Sequence, residues 1–270
     1  MRNMMATTVM ILLVGAAVVG ERSSTMDFIA KGRNAPTHAH LFGSGYYFIG
    51  ERDLEKPKRI VFDLDFGSVI VRGAKSKEAS LEAVFVADTP IQATGEEYLN
   101  LLDVQTHKMK DGWRIIVGLH ARSAPPADLY FILKCHKETS LVINTDDGDV
   151  SVEDMEEGRV EVVIGQGNLQ MNRVSSLVTA VVRTGDIDAS IVPVKGVRYA
   201  FETRSGNLSL SVPASSSVSF ETTAPTGYVD MGLPLSELQR PGGTSEWRSG
   251  LSDTHIILKT GTGNISVRGI

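Results

Sequence analysis

Several groups of residues in this chain carry side chains that could do chemistry. Cys135-His136 sets a thiol beside an imidazole, the two groups a cysteine nucleophile needs. The pair ends an alternating run, Leu129-Tyr130-Phe131-Ile132-Leu133-Lys134, and neighbours on a strand point to opposite faces. Cys135 therefore reads as a small buried hydrophobe, and as the sole cysteine it forms no internal disulfide. His38 and His40 share one side of an extended segment. Two ligands fall short of the three or four that a zinc site takes, so they read as surface histidines.

Between residues 146 and 161 stand Asp146, Asp147, Asp149, Glu153, Asp154, Glu156, Glu157 and Glu161. Hard cations take clustered carboxylates, so calcium is the sharp reading. The spacing matches neither the calcium loop with its terminal Glu nor the Gly-Gly-x-Gly-x-Asp repeat, and a solvated acidic rim is the expectation. Gly165-Gln166-Gly167 lacks the Lys-Ser/Thr and the helix of a phosphate loop. No Gly-x-Ser-x-Gly or His-Glu-x-x-His motif exists. Asp149 and Asp186 hold matching places in a repeated phrase and could stack, as a glycosidase pair about 5–9 Å apart would require. Asn168 and Asn207 hold the same place, which assigns it to turns rather than to acid/base chemistry. The sequence thus predicts no catalytic, metal-binding or cofactor-binding residue, and a protein that is not an enzyme.

The elements that position these residues follow from that phrase: a polar residue, glycine, Asp or Asn, then an apolar residue. It recurs at Gly148, Gly167, Gly185, Gly206, Gly227 and Gly263, with a degenerate copy at Gly67. The intervals from Gly148 to Gly227 are 19, 18, 21 and 21 residues. Each glycine separates two alternating runs, such as Val160, Val162, Ile164 and then Leu169, Met171. A period of two rich in β-branched residues predicts half-buried strands. Glycine accepts positive φ at little cost, and Asp or Asn supports the turn. The expected fold is all-β, a repetitive β-helix-like or toast-rack-like stack of short strands; the alternative is an antiparallel β-sandwich. The direction of pairing is not readable.

At 270 residues, 42% hydrophobic and 22% charged, the chain can bury a substantial core. Its net charge of -5 and lack of a basic, aromatic-studded patch argue against nucleic acid. Residues 1–20 hold Arg2 and then an apolar run from Met4 to Gly20, the pattern of an export signal or, uncleaved, of a membrane anchor. Residues 21–41 form a polar lead. Residues 42–270 are expected to form a single domain, with a long insert at 232–253 read as a loop. Tyr46 and Tyr47 in the aromatic segment, and Trp247 and Arg248 in the insert, are the candidate surface contacts, although for Trp247 the preferred reading is that it pins the insert against the sheet.

The recurring pieces Asp147-Gly148-Asp149-Val150, Thr184-Gly185-Asp186-Ile187, Ser205-Gly206-Asn207-Leu208 and Thr262-Gly263-Asn264-Ile265, with Gly67-Ser68-Val69 upstream, resemble the bacterial putative adhesin family, long called a domain of unknown function. The resemblance covers roughly residues 58–270. It implies a right-handed β-helical or toast-rack-like fold, an envelope location and no enzymatic residues. The functional expectation is an exported, non-enzymatic scaffold or binding module of the cell envelope, adhesin-like, with an envelope protein or surface glycan as partner and membrane association through the N-terminus only. The alternatives are a membrane-anchored structural or signalling partner and, behind it, a carbohydrate-active β-helical enzyme.

Overall fold

The computed structural model describes residues 46–87, 94, 97, 101–119, 127–233, 235–240, 244–248 and 253–270. The first strands are β1 (Tyr46–Leu54), β2 (Arg59–Leu64), β3 (Ser68–Ala74), β4 (Ala79–Ala87), β5 (Leu102–Lys108), β6 (Gly112–Leu119) and β7 (Ala127–His136). The repeats follow as β8 (Ser140–Asp147), β9 (Val150–Glu153), β10 (Arg159–Gln166), β11 (Leu169–Val174), β12 (Leu177–Thr184), β13 (Ile187–Ile191), β14 (Arg198–Ser205) and β15 (Leu208–Val212). The chain closes with β16 (Ser219–Thr223), β17 (Val229–Gly232), β18 (Ser236–Arg240), β19 (Thr244–Arg248), β20 (His255–Thr262) and β21 (Ile265–Gly269).

These strands make two facing sheets. A ten-stranded sheet runs β1-β4-β7-β3-β9-β11-β13-β15-β21-β17, and an eleven-stranded sheet runs β18-β19-β16-β20-β14-β12-β10-β8-β2-β6-β5. The two strands flanking each repeat glycine do not pair with each other. They lie in different sheets, and the glycine forms the corner between them. Pairing is instead between successive rungs and is parallel, as in Val162↔Ala180 and Leu169↔Ile187. Antiparallel pairing is confined to the two ends, in β1-β4-β7, β5-β6 and β16-β19-β18. The architecture is therefore the toast-rack stack, with sandwich-like pairing kept for its caps.

Alternate residues of both sheets fill the space between them. Phe62, Ile143, Val162, Ala180, Phe201 and Leu258 come from one sheet and Val71, Val152, Met171, Ala189, Leu210 and Val267 from the other, each at most 2% exposed. The inward residues of successive rungs stack in register, so one contiguous core runs along the stack.

The order of rungs in space differs from their order in the chain. β2/β3 lies between β6/β7 and β8/β9, and β20/β21 lies between β14/β15 and β16/β17. Both outlying copies of the phrase are thus threaded one rung inward from the ends. The C-terminal copy is not the terminal layer.

Each end is closed by a tryptophan. Trp113 on β6 is 6% exposed; the Arg52 guanidinium lies 4.5 Å from its ring centroid and donates to Thr106 Oγ1. At the opposite end Trp247 packs half-buried against the core, and its Nε1 donates to Thr222 Oγ1 at 3.1 Å. The segment read as a loop at 232–253 contains the hairpin β18–β19, whose strands pair from Ser236↔Arg248 to Arg240↔Thr244. Pro241-Gly242-Gly243 between them is hairpin punctuation that the long-loop expectation overlooked.

Candidate functional site

The feature that the sequence singled out becomes a built edge. The corner glycines form a column in the spatial order Gly67, Gly148, Gly167, Gly185, Gly206, Gly263, Gly227. At Gly185 φ is +138°, and a Cβ would sit 1.9 Å from the carbonyl oxygen of Gly167. Two demands meet there, a backbone that L side chains avoid and a neighbouring rung with no room for a methyl. Gly227 departs from the expected turn: it is not at positive φ, yet its Cβ would lie 1.8 Å from Gly263 O. Close approach, not φ, requires glycine there.

Beside the glycines runs a second column, Ser68, Asp149, Asn168, Asp186, Asn207, Asn264. Each side chain accepts the backbone N–H of the next rung. Asn168 N donates to Asp149 Oδ1 at 2.7 Å, Asp186 N to Asn168 Oδ1 at 2.9 Å, and Asn207 N to Asp186 Oδ1 at 2.7 Å. Asn264 N then reaches Asn207 Oδ1 at 3.1 Å, and Tyr228 N reaches Asn264 Oδ1 at 3.2 Å. Asp and Asn alternate through the middle, and the Asn168 amide also donates to Asp149 Oδ1 at 3.2 Å. Alternation lets each carboxylate face an amide instead of another carboxylate. The two phrase copies that lack Asp or Asn, Ser68 and Tyr228, stand at the two ends of this column. Inside the corner, Thr203 and Thr260 hydroxyls donate to Gly185 O and Gly206 O, both at 2.9 Å.

This column predicts a pH-dependent variant. Asn168→Asp removes an amide donor and sets three carboxylates in a row. The repulsion raises the folded-state pKa of the introduced acid above its unfolded value, so the cost is present at neutral pH and fades as pH falls. Urea unfolding should show a loss of roughly 1–2 kcal/mol at pH 7 that shrinks toward zero near pH 4.

The acidic stretch divides among separate partners. Asp154 takes a two-pronged contact from Arg173, at 2.6 and 2.9 Å, which holds its carboxyl below the usual carboxylate range. Lys137 pairs with Glu156, Arg159 with Glu161, and Arg72 with Glu153 at 3.8 Å. Asp149 is spent on the corner column. Among the described residues no three His, Cys, Asp or Glu side chains converge as a metal site. A shallow pocket of about 290 Å³ is lined by Asp63, Asp65, Asn144 and Asp146, where Asp63 is held by Arg114 at 2.6 Å and by Asn144 at 2.7 Å.

Cys135 is fully buried, and burial pushes its thiol up to about 12. His136 lies on the other face of β7, so no thiolate–imidazole pair forms. In native protein at pH 8 Cys135 should resist a colorimetric thiol reagent and react fully only in denaturant; rapid native labelling would contradict the buried position.

Tyr46 and Tyr47 lie on β1, paired with Ala87 and Val86, but their side chains fall outside the described residues, as does that of Arg248. Trp247 packs against the end of the core. The Arg52–Trp113 cap had no signal in the sequence, because β1 and β6 are far apart in the chain and lie in different sheets. The apolar run Met4–Gly20, His38 and His40 also lie outside the described residues. Among the described residues no helix is long and apolar enough to cross a membrane.

A two-sheet parallel stack, with glycine corners and an Asx column, defines a class of repetitive all-β domains. The Toastrack DUF4097 family model matches residues 132–268, just over half of the 270-residue chain, and the chain belongs to that family. The chain is similar in fold to a putative cell adhesion protein from Clostridium sporogenes ATCC 15579, with 12% identity, a TM-score of 0.50, and coverage of 84% of this chain and 100% of that one. A putative adhesin from Bacteroides fragilis NCTC 9343 also aligns, at 12% identity, a TM-score of 0.38, and coverage of 81% and 96%. No curated protein matches the chain.

Proposed function

We propose that this protein is an exported, non-enzymatic β-repeat module of the cell envelope that works as a scaffold or adhesin-like binding surface. The carrying observation is the fate of the repeated polar residues. Asp149, Asn168, Asp186 and Asn207 hold the Asp/Asn place of the repeated phrase, and each is engaged in holding the next rung's amide. Repetition here builds shape and leaves broad sheet faces for contact. The apolar run after Arg2 supports export. The neighbour from Clostridium sporogenes supports adhesion only through a shared fold.

Two measurements test this. The mass of the protein recovered from the envelope fraction should place the mature N-terminus near Val18 or Glu21; an intact Met1 in the membrane fraction favours the anchored structural or signalling partner instead. Glycan-array and envelope-protein binding screens should then return a saturable ligand. Turnover of any glycan in the same panel would overturn the non-enzymatic reading.

A further inference from the structure

On the outer face of the eleven-stranded sheet, Val163 and Val181 are 48% and 38% exposed and are register partners on adjacent strands. Their row continues through Asn144 to Asp63 on one side and through Glu202 to Lys259 on the other. In the next row toward the strand starts, Val142 and Val61 on one side mirror Ala200 and Ile257 on the other, with Arg114 and Glu221 beyond them. In the row toward the corners, exposed Asp65 and Asp146 stand on the first side and exposed Arg183 and Arg204 on the second. Across the line between β10 and β12 the pairs Asp146/Arg204, Asp63/Lys259 and Arg114/Glu221 are therefore opposite in sign, while Val163/Val181, Val142/Ala200 and Val61/Ile257 are apolar on both sides.

We propose that this face is an isologous interface between two copies of the chain, related by a two-fold axis along the strands between β10 and β12. That operation sets exposed Val163 on Val181 of the second copy, half-buried Val142 on Ala200, and Val61, only 9% exposed, on Ile257, 8% exposed. It sets Asp146 on Arg204, Asp63 on Lys259, and Arg114 on Glu221, so these six charges meet their opposites, while Glu161 falls on Thr179 and Glu202 on Asn144. A self-matching surface needs this combination, apolar residues symmetric about the axis and charges antisymmetric. The area suffices: eight strands about 4.8 Å apart, four on each side of the axis, and three side-chain rows about 6.6 Å apart cover roughly 750 Å² per copy, about 1,500 Å² in all, the size of a standard specific interface. The row at the strand starts, with Arg59, Arg159 and Arg198, is basic on both copies and bounds the footprint.

Within one chain Asp146 and Arg204 sit on strands three places apart, roughly 14 Å, beyond the reach of an internal ion pair or disulfide. Sedimentation of the purified full chain should give a dimer. D146R and R204D should each weaken it by about tenfold or more, and D146R/R204D should restore it. Under mild copper-phenanthroline oxidation, D146C/R204C should give a covalent dimer that D146C or R204C alone does not, Cys135 being buried and silent. V163K/V181K should abolish that cross-link while the near-ultraviolet spectrum of the two tryptophans stays native. A monomeric wild type with no cross-link, or a double swap that fails to restore the dimer, would overturn the proposal.

Discussion

Gly185→Ala should lower the free energy of unfolding by roughly 3–5 kcal/mol, enough to take about 10 °C off Tm. The methyl meets Gly167 O at 1.9 Å, and that atom is backbone held in the next rung, so no side-chain rotation relieves the clash. The φ of +138° adds the strain of a region open almost only to glycine. Moving β12/β13 away to make room would break ladder bonds to both neighbours, such as Gly167 N–H to Thr184 O at 3.0 Å and Gly185 N–H to Ser205 O at 2.9 Å. Gly196 is the control. It too has positive φ, +79°, but a Cβ there meets nothing within 4 Å. Gly196→Ala should cost only the backbone term, about 1 kcal/mol. Equal losses at the two sites in chemical denaturation would sink the claim that rung packing, rather than φ alone, fixes the corner glycines.

Truncation after Asp253 should do far more than shorten the stack. In a repeat protein with sequential rungs, removing the last one exposes a single interface. Here β20/β21 is threaded between two rungs, bonded to β14 and β15 on one side and to β16 and β17 on the other. Its inward residues Ile256, Leu258, Ile265 and Val267 are all 0% exposed. At about 1.5–3 kcal/mol per buried side chain their loss is on the order of 6–12 kcal/mol, comparable with the whole stability of a domain. β16 and β17 would also lose their parallel neighbours β20 and β21, and β18 and β19 hang on β16. Hydrogen exchange should show residues 219–248 unprotected in the truncated chain, with Trp247 fluorescence shifted to that of exposed indole. Retained protection there would mean that β16/β17 can close on β14/β15 directly, and that the threaded rung is dispensable.

Much of the local structure was legible along the chain. Val160, Val162, Ile164 and their equivalents alternate because each strand buries one face only, and a period of two survives in sequence without reference to neighbours. The glycines were legible because a corner is a local event. The insert was less so: Ser236–Arg240 and Thr244–Arg248 are short and polar, and only Pro241-Gly242-Gly243 marks the hairpin. Asp149, Asn168, Asp186 and Asn207 could be aligned by eye, but their service as acceptors for the next rung needed coordinates.

By itself, then, the sequence determined an all-β repeat marked by glycine corners, since the strand period and the glycines both follow from patterns within about twenty residues. Tertiary structure alone decided that the strands pair in parallel, that the first and last phrase copies are threaded one rung inward, and that Trp113 and Trp247 close opposite ends. The physical reason is range. A strand's apolar face is written in its own residues, whereas every rung offers nearly the same backbone edge to its neighbours, and which edge is taken depends on how far-separated segments fill one shared core.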